Sequence, residues 1–333
     1  MTAQAEEQLT TEAQPMQKLD ALILKTRFPS LLGAILALCS GAACAASAGT
    51  IAQPDGGAYT LPNTIVHTIH AAKLNRDYQV YVSLPSTYSP SGPLLPVVFV
   101  TDADYAFPLV RAIAARVGGH SKAIGPFVLV GLSYAMGDTG TYSRNRDYTP
   151  TPRFEEAEES DMPGRAPRSG EAENYRRFLV ADVLPQIARR YRVDWSRSVF
   201  VGHSYGSLLG THILLQSPQM FSRYVLSSPS LWYDQKVMFS REKDYAATHK
   251  DMKADVFFAV GGLERPCGKG AATSGPCNKQ VDMVADVSAF DAALRSRHYP
   301  SLRTQLHVYD GFDHLNIYPN MITDALKWVS GGR

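Results

Sequence analysis

From Leu95 onward, short β-branched apolar runs alternate with longer amphipathic ones, and this alternation is what most narrows the fold. Strand, helix and strand in repeated succession build βα units around a mostly parallel sheet. The strand runs are "LPVVFVTD", "PFVLVGLSY", "RSVFVGH", "SRYVLSS", "ADVFFAVGG" and "RTQLHVYD". The helical runs include "AFPLVRAIAARVGG", the stretch from Glu171 to Tyr191, "KQVDMVADVSAFDAALRSRH" and a closing "NMITDALKWV". Between Glu171 and Tyr191, the residues Leu179, Val183, Ile187 and Tyr191 recur at every fourth position and share one face. Pro185 predicts a kink there, because proline cannot donate to the helical ladder. Ahead of the alternation, "NTIVHTIHAA" and "RDYQVYVSLP" follow one another without a helix, which reads as an antiparallel hairpin. The expected architecture is α/β, a single domain over residues 49–333. Thr149 to Gly170 breaks the pattern with charge, Pro and Gly, so residues 150–170 are expected to form a flexible flap or a plain solvated insertion.

The balance of 33 Lys and Arg against 31 Asp and Glu leaves a formal charge of +2, and no basic cluster is interleaved with aromatics. A nucleic-acid partner is therefore not expected. Near the amino end, Arg27 precedes "FPSLLGAILALCSGAACAASA", in which Ala43-Cys44-Ala45 and Ala46-Ser47-Ala48 both fit a signal-peptidase site. Residues 1–48 thus read as an export leader, unusually long, with the internal Met16 as a rival start. Its apolar stretch is shorter than the roughly 20 residues a membrane span needs. The processed chain is expected in the periplasm or outside the cell, with no stable membrane span. Cleavage would remove Cys39 and Cys44 and leave Cys267 and Cys277, in "ERPCGKGAATSGPC". Two cysteines closing a Gly-rich loop in an exported protein most simply form a disulfide, worth about 2.5 to 3 kcal/mol for so short a loop. A metal site is the rival, but the segment holds no histidine and no second cysteine pair.

The run "SVFVGHSYGSLLGTHILL" turns from strand into helix at Ser204, with Gly202 two positions before it and Gly206 two after. So abrupt a bend brings backbones too close for a Cβ at those two positions and projects the serine from a strained turn. Gly-x-Ser-x-Gly arises by chance about 0.1 times in a chain this long, so the strand-to-helix context carries the weight. A near miss, Gly131-Leu-Ser133-Tyr-Ala135, has no helical run directly behind it. A serine hydroxyl is a poor nucleophile without a base beside it. On a sheet of this kind reactive groups gather at the carboxyl ends of strands, in the chain order serine, acid, histidine. His314, in "GFDHLNIYP", follows the last strand and is the expected base; His307 lies within that strand, His298 before it, and His203 should point away from its neighbour. Glu264 follows "ADVFFAVGG" and is the expected acid, with Asp310 and Asp313 as competitors and a dyad without an acid as the alternative. The backbone N–H of Tyr205 and that of Ala103 or Asp104 are expected to hold the developing oxyanion. This chemistry needs no metal and no organic cofactor.

An ordered set of segments adds to this reading: "YVSLPSTY", "LPVVFVTDADYAF", "VLVGLSY", "RNRDYTPT", "VGHSYGS", "SPSLWYD", "VGGLE" and "GFDHLNI". Running from Tyr81 to Ile317, they resemble the putative-esterase branch of the α/β-hydrolases, and within it the siderophore esterases of the enterobactin and salmochelin type. The resemblance implies an α/β-hydrolase three-layer sandwich and a serine esterase working through an acyl-enzyme on a small-molecule ester, with siderophore lactones, iron-loaded ones included, as substrates. It also implies that Trp232 and the Arg144 to Thr149 segment border the substrate cleft. Arg144 and Arg146 would then meet an anionic ligand, unless Arg146 instead pairs with Asp147. Two departures bear on the pocket: Asp102-Ala103-Asp104 stands where relatives usually have Asp-Gly-Asn, and Ser207 replaces a glycine. Acyl transfer of the mycolyltransferase kind is a second outcome on this scaffold. A non-catalytic binding module is a third, though degenerate members generally lose the serine or the histidine and this chain keeps both.

Overall fold

The computed structural model describes residues 55–153, 160–266 and 281–331. The leader, Cys267, Cys277 and the middle of the 150–170 segment lie outside the described residues. In chain order the strands are β1 (Thr64–Ala71), β2 (Arg76–Ser83), β3 (Leu95–Val100), β4 (Val128–Ala135), β5 (Val193–His203), β6 (Arg223–Ser227), β7 (Ala254–Gly261) and β8 (Leu302–Tyr309). They form one sheet in the spatial order β1-β2-β4-β3-β5-β6-β7-β8. β1 and β2 make the expected antiparallel hairpin and β2 pairs antiparallel with β4, whereas every pairing from β4 to β8 is parallel.

Among the described residues, the longer helices that cover the sheet are α1 (Ala103–Ile113), α2 (Gly140–Tyr148), α3 (Ala172–Phe178), α4 (Leu184–Arg190), α5 (Tyr205–Gln216), α6 (Tyr233–Thr248), α7 (Met283–Ser296) and α8 (Ile317–Ser330). Alternate strand residues face opposite sides. On β3, Val97 and Phe99 enter one core while Val98 and Val100 enter the other; on β7, Val256 and Phe258 oppose Phe257 and Ala259 in the same way. Burial on both sides is why these strands read as unbroken apolar runs. Phe178, Leu208, Met238 and Phe290 pack the first face, and Phe107 and Val110 of α1 with Met321 and Leu326 of α8 pack the second. The result is the three-layer α/β-hydrolase sandwich.

Two local features depart from the sequence reading, and a third defines the ends of the 150–170 segment. The run around Pro185 is not simply kinked: a π-helical turn, Leu179–Val183, separates α3 from α4 and puts Pro185 in the first turn of α4. The wide turn absorbs the hydrogen bond that Pro185 cannot donate, and Leu179, Val183, Ile187 and Tyr191 are all buried as their spacing requires. Helices α2 and α6 carry no amphipathic stripe. Instead α2 buries Tyr142, Ser143, Arg146, Asp147 and Tyr148, and α6 opens on three successive left-handed residues, Asp234, Gln235 and Lys236, with φ of 44, 52 and 62°. The two ends of the 150–170 segment are tied together: Gly170 N–H donates to Thr149 Oγ1 (2.7 Å), Arg153 N–H to Ser169 Oγ (2.8 Å) and Ala172 N–H to the Thr149 carbonyl (3.1 Å).

Candidate active site

The strand order reverses between β3 and β5, and the helices that follow these two strands leave on opposite faces of the sheet: α1 into the second core, α5 into the first. Such a switch point opens a crevice at the strands' carboxyl ends, where ligands of open α/β sheets bind. Here it is bounded by two helix N-termini, whose leading N–H groups have no partner within their own helix. In α1 these belong to Ala103 and Asp104, since the first bonds back to Asp102 come from Tyr105 and Ala106. Helix α5 begins at Tyr205, directly behind the bend.

Ser204 occupies the bend, at φ 57° and ψ −119°. A Cβ on Gly202 would strike the backbone of Gly206, and one on Gly206 would strike Thr101 Oγ1 and approach Asp102 Oδ2 to 3.0 Å. The two glycines therefore let the β5 turn close on itself and let it pack against the β3 loop. Ser204 N–H donates to the Ser227 carbonyl at 2.9 Å, pinning the turn to the end of β6. Among the described residues, the hydrogen-bond partner of Ser204 Oγ is Ser230 Oγ, at 3.4 Å, rather than His314. Catalytic hydrogen bonds of this kind often tighten only when substrate is bound.

His314 and Glu264 meet as a pair. Nδ1 of the imidazole lies 2.6 Å from Glu264 Oε2, which among the described residues leaves Nε2 as the ring nitrogen open to the nucleophile. The Glu264 side chain is 2% exposed, and its other oxygen accepts Gly261 N–H at 2.7 Å and Ser228 Oγ–H at 2.6 Å. Of the rival carboxylates, Asp313 does other work: its Oδ1 accepts the N–H groups of Leu315 and Asn316 and so caps the start of the turn into α8. His203 packs its ring 4.7 Å from that of His314, centroid to centroid, with Nδ1 3.1 Å from Ser227 Oγ. Burial, and then the neighbouring His314, hold His203 well below the ordinary imidazole pKa. His307 is exposed and stacks on Phe257.

The residues implied by resemblance separate into two groups. Arg144 lies at the crevice: its guanidinium stands 5.8 Å from the Tyr205 ring centroid, and Nε is 2.6 Å from Asp102 Oδ1, in an ion pair too bent for a hydrogen bond. Asp102 is fully buried at φ 54° and also accepts Tyr134 Oη–H at 2.8 Å. Burial pushes its carboxyl pKa up, with Arg144 pulling the other way. Trp232 sits beside the elbow, its ring 6.2 Å from that of Tyr205. Arg146, by contrast, is committed to carboxylates of its own surroundings. Its side chain is 3% exposed and is held by Asp147 at 2.7 Å and Asp138 at 2.6 Å, the pairing with Asp147 that was the alternative to a ligand contact. The candidate oxyanion residues also differ: Ala103 is buried, while the Asp104 side chain accepts Ser133 Oγ–H at 3.2 Å. Sequence reasoning missed Ser228, Ser230 and the Asp102 to Arg144 pair. The one available signal was the "SSPS" cluster directly behind the β6 run.

The family model described as "Putative esterase" matches residues 71–328. Ferri-bacillibactin esterase BesA of Bacillus subtilis (strain 168) is 27% identical over 289 residues, 84% of this chain and 95% of that protein. The crystal structure of the BES protein from Bacillus cereus superposes with a TM-score of 0.67 at 23% identity, over 83% of this chain and 99% of that one. The enterobactin and salmochelin hydrolase IroE superposes at 0.57 with 18% identity, over 81% and 95%. At these identities the two solved structures speak to the fold.

Proposed function

The chain belongs to the Putative esterase family, and on that premise we propose that it is a serine esterase that opens ester or lactone bonds of siderophores, with Ser204 as nucleophile, His314 as base and Glu264 as acid. The observation that carries this reading is the positive-φ Ser204 at the head of α5, together with a His314 whose Nδ1 is committed to Glu264 at 2.6 Å and whose ring packs on that of His203, the residue next to Ser204. Ser204 Oγ turns from Ser230 toward Nε2 of His314, gives up its proton there and attacks the ester carbonyl. The tetrahedral oxyanion is held by the N–H of Tyr205 and of Ala103 or Asp104. As the carbon–oxygen bond to the alcohol breaks, the imidazolium returns the proton to the leaving oxygen, and Glu264 stabilises that cation meanwhile. Water then repeats the attack on the acyl-enzyme and frees Ser204.

The siderophore part of the reading is supported by the substrate named for BesA and by the wall of Arg144, Tyr205 and Trp232, which suits an anionic aromatic acyl group. Hydrolysis of short p-nitrophenyl esters and of a catecholate trilactone by the wild type and Ser204→Ala tests it. A loss of about 10³-fold or more is expected; equal rates overturn the mechanism, and activity on the p-nitrophenyl esters alone overturns the substrate class. Export with removal of the leader is part of the same proposal, and amino-terminal sequencing of the mature chain should begin at Ala46 or Gly49.

A further inference from the structure

Resting on the reading of Glu264 as the acid, we propose that Ser228 is a positioning residue: its hydroxyl holds one oxygen of Glu264 so that the other faces His314. A carboxylate fixed at one donor can still pivot about that contact; two donors on one oxygen, Ser228 Oγ–H at 2.6 Å and Gly261 N–H at 2.7 Å, set both its place and its plane. Oε2 is then left for the imidazole. Both Ser228 and Glu264 are buried, so solvent does not replace the hydroxyl.

Ser228 keeps this position against a backbone cost. Its φ is 43°, unfavourable for a non-glycine residue, and its N–H is anchored on the Ala259 carbonyl of β7 at 2.7 Å. The surrounding loop is equally committed: Ser227 Oγ meets His203, the ring packed on His314, and Ser230 Oγ meets Ser204. One short stretch at the end of β6 thus touches the nucleophile, the acid and the neighbour of the base, and Ser228 is the hydroxyl that reaches the acid.

A double-mutant cycle in the full chain tests this, with Ser228→Ala, Glu264→Ala and the double variant beside wild type and Ser204→Ala. A hydrogen bond to a charged partner corresponds to a loss of about tenfold or more in kcat for Ser228→Ala, with KM within about twofold. The double variant should be no slower than Glu264→Ala, because a positioning residue has nothing to act on once its target is gone. The far-downfield proton resonance of the His314 and Glu264 hydrogen bond should shift or broaden in Ser228→Ala. Should Ser228→Ala fail to fold, Ser228→Cys, with a weaker donor of similar shape, is expected to fold with an intermediate kcat. Wild-type kcat in Ser228→Ala while Glu264→Ala is impaired overturns the proposal and leaves the esterase mechanism intact, as does a double variant whose losses multiply. An active Ser204→Ala or an unimpaired Glu264→Ala overturns the underlying reading instead.

Discussion

Nε of Arg144 lies 2.6 Å from Oδ1 of Asp102, joining α2 to the loop that delivers the Ala103 N–H. Asp102 is fully buried, so removing the guanidinium strands a carboxylate without solvent. Arg144→Met is expected to cost about 3 kcal/mol and to lower kcat as the loop shifts, whereas Arg144→Met with Asp102→Asn recovers much of the stability. Urea unfolding with parallel kinetics checks both.

Arg146 should behave differently although it stands two residues away. Its partners Asp138 and Asp147 are 4% and 1% exposed, so Arg146→Met is again expected to destabilise by about 3 kcal/mol or more. KM for an anionic ester should change by less than about twofold, since the guanidinium is committed to these two carboxylates. A larger rise in KM in correctly folded protein would restore Arg146 to the binding site.

The elbow glycines differ in what they tolerate. Gly202→Ala drives a methyl into the Gly206 backbone, which cannot move without the helix, while Gly206→Ala meets mainly the Thr101 hydroxyl. Overpacking at such sites costs about 1 to 3 kcal/mol. Gly202→Ala is expected at the upper end, with the greater loss of kcat, and Gly206→Ala at the lower, as thermal melts and esterase assays will read.

His203 makes stability depend on pH. In the unfolded chain it takes up a proton near the ordinary imidazole value, whereas in the folded protein burial and then His314 push that value well down. Its contribution is therefore complete above about pH 6.5 and declines as pH falls from there toward the folded-state value. The unfolding free energy should drop by up to about 1.4 kcal/mol per pH unit in that window. His203→Asn should flatten the slope when unfolding is followed at pH 7.5, 6.5 and 5.5.

What could be read in advance was whatever repeats or is confined to one local turn. Strands such as Val97 to Val100 were legible because burial on both faces leaves no polar residue to interrupt them. Ser204 was legible because its two glycines are a steric necessity, and His314 and Glu264 because each follows a strand at the reactive end. Helix α2 was not: it is held inside by Arg146, Asp147 and buried tyrosines, and ion pairs leave no period in a sequence. The left-handed start of α6 at Asp234 to Lys236 is equally silent, since none of the three is glycine. Ser228 and Ser230 look like ordinary loop serines until the sheet order brings β6 between β5 and β7.

Thr149 and Gly170 are neighbours in space although 21 positions apart in the chain. Because the excursion leaves and returns at one point, its length can change between those ends while the strands keep their places. Evolution, or a protein engineer, thus has a socket into which segments of different reach can be grafted while the sheet stays as it is.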